Sequence, residues 1–80
     1  MRVKTKTLRE AREDAGLTQV ELAKRAGITP SLLQAIEHGR TPGSILMRQK
    51  IADALRVPFR VLWPDTIQEL RDILRAANEK

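Results

Sequence analysis

Eighty residues make one domain at most, with a small core. Fifteen Lys and Arg against ten Asp and Glu leave a formal charge of +5, while the lack of cysteine excludes disulfides, thiolate metal sites and thiol nucleophiles. No apolar run approaches the roughly 20 residues of a membrane span, and the basic start MRVKTKT has no apolar segment behind it, so neither a transmembrane helix nor a secretory signal is expected.

The surplus charge is uneven. Seven basic and four acidic residues fall in 1–30, five and two in 31–60, three and four in 61–80. A basic body with a near-neutral tail suits a surface that meets a polyanion, although a solvated surface explains the charge equally well. Strand patterning is absent, and the expected class is all-α. The first helix is expected to begin between Lys4 and Thr7. Thr7 and Glu10 can form a capping box there, Leu8, Ala11 and Ala15 recur at helical spacing, and Gly16 supplies a left-handed stop. Thr18 opens the second helix with Glu21 as its capping-box partner; its apolar face is read as Val20, Leu22, Ala23 and Ala26, and Gly27 ends it. Thr29 caps the third, with Pro30 at the first helical position, where a missing N–H costs nothing. Leu33 and Ile36 give that helix its buried edge, and Gly39 closes it. RTPG reads as a turn. Ser44 starts a fourth helix with Met47, Ile51, Ala54 and Leu55 inward, which Val57-Pro58 breaks. PFRVLW is a short fifth turn or helix that packs Phe59 and Leu62 on the core. Asp65 and Gln68 suggest one more capping box, opening a last helix over Asp65–Asn78.

Two short helices joined by a tight glycine-containing turn form the unit that presents a helix to the DNA major groove. The spacing has physical reasons. Ala23 is small where the next helix crosses above it, Gly27 takes a positive φ without steric cost, and Leu33 and Ile36 lock the two helices together. In this setting LTQVELAKRAGITPSLLQAIEHGR, followed by KIADALRVP, resembles the phage-repressor and Cro-type (xenobiotic-response-element-like) helix-turn-helix family over roughly Leu8 to Leu62. LTQ-x-ELA, AG[IV]T, IE-x-G-R and KIADAL occur together and in order, which makes the resemblance specific.

The resemblance implies a five-helix, repressor-like DNA-binding domain over residues 1–63, with helix two at about 18–26 and the recognition helix at about 29–38; residues 64–80 add a C-terminal helix. It places Pro30, Ser31, Gln34 and Ala35 against base edges in the major groove. Gln34 can bond adenine N6 and N7, Ser31 either base type, and Ala35 a thymine methyl, while Pro30 can only pack. Gln19 is expected to contact a phosphate and brace the recognition helix, assisted by backbone N–H groups at its helix start. Thr29 can share its hydroxyl between cap and phosphate, and Arg40 can meet a phosphate just beyond the helix. Each of these also has a plainer role, as a capping or ordinary exposed residue. Arg2, Lys4 and Lys6 form either a basic arm along DNA or a charged tail. Lys24, Arg25, Arg48, Lys50, Arg56 and Arg60 are expected to be solvated surface. The family commonly joins the positions of Arg12 and Glu37 by an ion pair, so Glu37 is assigned to structure.

Two places depart from the pattern. Leu32 stands where a small polar residue is usual, and either edges the DNA face or turns into the core. Pro42 comes one place early and Arg48 replaces an apolar residue, so the loop before the fourth helix is expected to be non-standard.

In the last helix Ile67, Leu70, Ile73, Leu74 and Ala77 share one stripe. Either Trp63 and the first helix of the same chain cover it, or the same helix of a second copy does; a homodimer is the favoured expectation. His38 lacks a second ligand nearby, so no metal is expected. Glu10, Glu13 and Asp14 read as a solvated face. Phe59 and Trp63 are the two aromatics and are assigned to the core, which leaves no stacking platform for single strands. No nucleophilic triad, cofactor or small-molecule site is evident. The sequence points to a cytoplasmic, non-enzymatic, sequence-specific binder of double-stranded DNA, in the first reading a repressor acting as a homodimer. The alternative is an antitoxin or protein-interaction adaptor with weak, non-specific DNA binding.

Overall fold

The computed structural model describes residues 6–79. Six helices follow in order, with no strand among the described residues: α1 (Leu8–Asp14), α2 (Gln19–Ala26), α3 (Pro30–Glu37), α4 (Ile45–Leu55), α5 (Phe59–Leu62) and α6 (Pro64–Asn78). Hydroxyl caps set four of the starts. Thr7, Thr18, Thr29 and Ser44 accept from the backbone N–H of Glu10, Glu21, Leu32 and Met47, each at 3.1 Å. Glu10 and Glu21 reciprocate by accepting from the backbone of Thr7 and Thr18 at 3.5 and 3.1 Å, so two of the three expected capping boxes form. The Thr18 backbone bond, then its side chain, holds the Glu21 carboxyl below its ordinary value, with Arg25 adding a smaller pull.

The core gathers Leu8, Ala11, Leu17, Leu22, Ala23, Ala26, Leu33, Ile36, Ile51 and Leu55, with Leu22, Leu33 and Ile51 fully enclosed. Helix α2 lies against both α3 and α4. Ala23 and Ala52 are completely buried, the small side chains this crossing requires. Val20 does not belong to this face; it is 63% exposed. Helical spacing explains the correction: Gln19, not Val20, lies four and seven residues before Ala23 and Ala26. On α4, Ala52 was missed as an inward residue, whereas Met47 and Ala54 are only half-buried. That helix stops at Arg56, whose φ of 55° is left-handed, one residue before the expected break. Pro58 disfavours helical backbone at Val57, so the chain must turn there even without a glycine.

Helix α6 begins at Pro64 rather than Asp65, with no side-chain cap, so the Asp65–Gln68 box does not form. Pro64 is favoured at the first helical position and draws Asp65 inside the first turn. Gln68 Nε2 donates instead to Asp72 Oδ1 at 2.9 Å. Arg48 is likewise not solvated surface. It is half-buried, its guanidinium lies 5.8 Å from the ring centroids of both Phe59 and Trp63, and Nη1 donates to Thr66 Oγ1 at 2.7 Å. A cation whose stem packs and whose head stacks on aromatic faces fills the apolar position and joins α4 to α5 and α6. Phe59 and Trp63 themselves are half-buried, 5.1 Å apart between centroids.

Candidate nucleic-acid interface

The α2–α3 turn is three residues long and locally determined. Gly27 caps α2 at φ 72°, the left-handed value that glycine adopts freely. Ile28 then returns its N–H to Ala23 O at 3.0 Å and packs its half-buried side chain on the core. Thr29 starts α3, whose Leu33 and Ile36 face inward. The side chains left outside are Pro30, Ser31 and Gln34, with half-buried Ala35 at the edge. Positions 30, 31 and 34 share one helical face. Leu32 is half-buried and packs against the core, so it turns inward rather than onto that face.

The only charge within α3 is Glu37, and the fold removes it from the outer face. Arg12 Nε and Nη2 donate to Glu37 Oε2 and Oε1 at 2.9 and 3.2 Å, with side-chain exposures of 12% for Arg12 and 2% for Glu37. Arg12 Nη1 also donates to Leu17 O at 2.9 Å. Gln19 joins the cluster, its Nε2 lying 3.4 Å from Glu37 Oε1. The bracing contact expected of Gln19 is therefore made through Glu37. These bonds tie the end of α1, the start of α2 and the end of α3 into one unit.

Exposed basic groups stand on α2 and just beyond α3, and none stands within α3 itself. Lys24 and Arg25 are exposed in the last turn of α2. Arg40 is exposed beyond α3, where Nη2 lies 3.2 Å from His38 Nδ1 and its backbone N–H bonds Ala35 O at 2.9 Å. Thr29 is exposed while its hydroxyl caps Leu32, so that oxygen retains acceptor capacity. Of the expected basic arm, Lys6 pairs with Asp14 at 2.7 Å and its backbone N–H reaches Val61 O at 3.2 Å; Arg2 and Lys4 lie outside the described residues. In the loop before α4, Gly43 sits at φ 72° with its N–H 3.4 Å from Thr41 Oγ1. A Cβ at Gly43 would lie 3.0 Å from Ile36 Cδ1, so this loop presses on the inner edge of α3.

Among the described residues the far half of α6 has no apolar cover. Ile67 and Leu70 are half-buried near α5, whereas Ile73 and Leu74 are 63% and 64% exposed. Sequence reading also missed two exposed apolar residues at the start of α4, Ile45 and Leu46. They follow the cap directly and precede the first inward residue of that helix. No helix among the described residues is long and apolar enough to cross a membrane.

Comparison with known proteins agrees with this geometry. The model of the Helix-turn-helix family matches residues 8–62. Over 48 residues the chain is 46% identical to an uncharacterized HTH-type transcriptional regulator of Methanothermobacter thermautotrophicus, covering 60% of this chain and 70% of the relative. The match takes in α1 to α5 and the turn that presents α3, and so the chain belongs to the Cro/C1-type helix-turn-helix family of DNA-binding regulators.

Proposed function

We propose that this protein is a sequence-specific transcriptional regulator that represses by occupying operator DNA, acting in the cytoplasm as a homodimer. Residues 1–63 bind DNA and residues 64–80 hold the two copies together. Pro30, Ser31, Gln34 and Ala35 read base edges, while Gln19, Thr29 and Arg40 meet phosphates. The observation that carries the reading is the state of α3: its inner edge and its single carboxylate are locked into the protein, and its outer face is uncharged and free. Such a face gains little from phosphates and is suited to base edges, which accept hydroxyls, amides and methyl contacts. The dimer is supported by exposed Ile73 and Leu74, which an isolated chain leaves in water.

The test is selection of duplexes from a random library at near-physiological salt. Enrichment of an inverted repeat, with half-sites about 10 base pairs apart or a multiple of that, is the expected result. Uniform binding that disappears as salt rises would refute it, because it leaves only phosphate attraction. A second reading, an antitoxin or adaptor on the same fold, is favoured by exposed Ile45 and Leu46, an apolar pair that DNA reading does not use.

A further inference from the structure

We infer that α3 reads an A·T-rich half-site, with an adenine under Gln34 and thymine methyl groups against Ala35 and Pro30. The inference rests on the DNA reading proposed above and follows from what the outer face of α3 contains and what it lacks. In the major groove guanine offers two acceptors, N7 and O6, best matched by the donors of Arg or Lys. Cytosine offers one donor, best matched by a carboxylate. Helix α3 carries no Lys or Arg, and its one carboxylate, Glu37, is 2% exposed and occupied by Arg12. Among the described residues the cations adjoining α3 in sequence stand on other segments. Lys24 and Arg25 are in α2, and Arg40 lies past the end of α3 beside His38. Neither guanine nor cytosine therefore finds its preferred partner on this helix.

Adenine does. It presents an acceptor, N7, beside a donor, N6, and the exposed carboxamide of Gln34 presents the complementary donor and acceptor in one plane. On the same face the exposed Pro30 ring lies one turn before Gln34 and exposed His38 one turn after it, while half-buried Ala35 stands at the edge of that face. The thymine C5-methyl is the apolar feature that the major groove offers to Pro30 and Ala35. Four residues of helix span about 6 Å, close to two base steps of roughly 3.4 Å, so Pro30 and the Gln34–Ala35 pair meet bases about two steps apart. Ser31 lies between them with a hydroxyl that tolerates either base type. The face thus selects a short run of A·T pairs and places the strictest demand at one adenine.

The experiment is library selection with the full chain and with Gln34→Ala, followed by binding to the enriched duplex carrying uracil in place of each thymine in turn. Uracil removes the methyl group and leaves pairing intact. The expected result is an enriched half-site with a run of A·T pairs. Gln34→Ala should weaken binding to it by roughly 5- to 150-fold and erase preference at one adenine. Single uracil replacements beside that adenine and about two steps away should weaken binding about fourfold, the value of one buried methyl. An enriched site at which Gln34→Ala relaxes a G·C pair, or a site indifferent to every uracil, would overturn the A·T assignment and leave DNA reading intact. Absence of enrichment at any position would overturn both. Gln34 is exposed and the change to alanine favours helix, so loss of folding does not confuse the result.

Discussion

Replacing Arg12 by methionine should be among the most damaging single changes outside the apolar core. The Glu37 side chain is 2% exposed beside Arg12, and among the described residues Gln19 at 3.4 Å would be its one remaining side-chain donor. Stripping one partner from a buried pair typically costs about 3–5 kcal/mol. At 80 residues the whole fold is worth about 4–12 kcal/mol, so this loss removes a large share of it. For a domain of this size it should lower Tm by at least about 12 °C. Glu37→Gln should be milder, because the amide oxygen still accepts from Arg12, and Arg12 keeps Leu17 O at 2.9 Å. The double variant Arg12→Met, Glu37→Leu should recover most of the loss, since apolar replacement of both partners removes the stranded charge. Urea unfolding followed by far-UV circular dichroism measures each step, with an unchanged slope showing that stability alone has moved. A loss below about 1 kcal/mol for Arg12→Met, the value of an exposed pair, would refute the reasoning. So would a double variant no more stable than the single one.

Three further outcomes are expected. Gly27→Ala forces a Cβ into a left-handed position at φ 72° and should cost about 1–2 kcal/mol by urea unfolding, although nothing lies within 4 Å of that Cβ. Folding holds Glu21 below its ordinary value, so its contribution is complete above the normal carboxylate range and fades as pH falls through the lowered value; Glu21→Gln should flatten that part of the acid limb of a Tm–pH profile. Ile73→Glu with Leu74→Glu, at positions 63% and 64% exposed, should leave monomer stability within about 0.5 kcal/mol, while sedimentation shifts the protein from dimer to monomer.

The helix starts at Thr7, Thr18, Thr29 and Ser44 were legible because a hydroxyl cap acts over three residues and needs no distant partner. The same locality made Gly27 and the outward set on α3 readable, and the Arg12–Glu37 pair came from the family pattern. What escaped was decided by competition or by distant packing. Asp65 and Gln68 have the spacing of a cap, but Pro64 wins the first helical position. Val20 is apolar, yet Gln19 holds the inward register, since it and not Val20 lies four and seven residues before Ala23 and Ala26. Arg48 reads as a surface cation until Phe59 and Trp63, more than ten residues away, fold over it. The exposure of Ile73 and Leu74 could not be read from the stripe itself, since a periodic apolar face looks the same whether its cover lies in the chain or outside it.

Trp63 is the single tryptophan, and it stands where α4, α5 and α6 meet, against Arg48 and Phe59. The protein therefore carries an intrinsic fluorophore at one joint and none elsewhere. Its emission reports whether the last helix is seated, while the far-ultraviolet signal averages over all six helices. Light at two wavelengths can thus follow the undocking of the C-terminal arm separately from the melting of the body that presents α3.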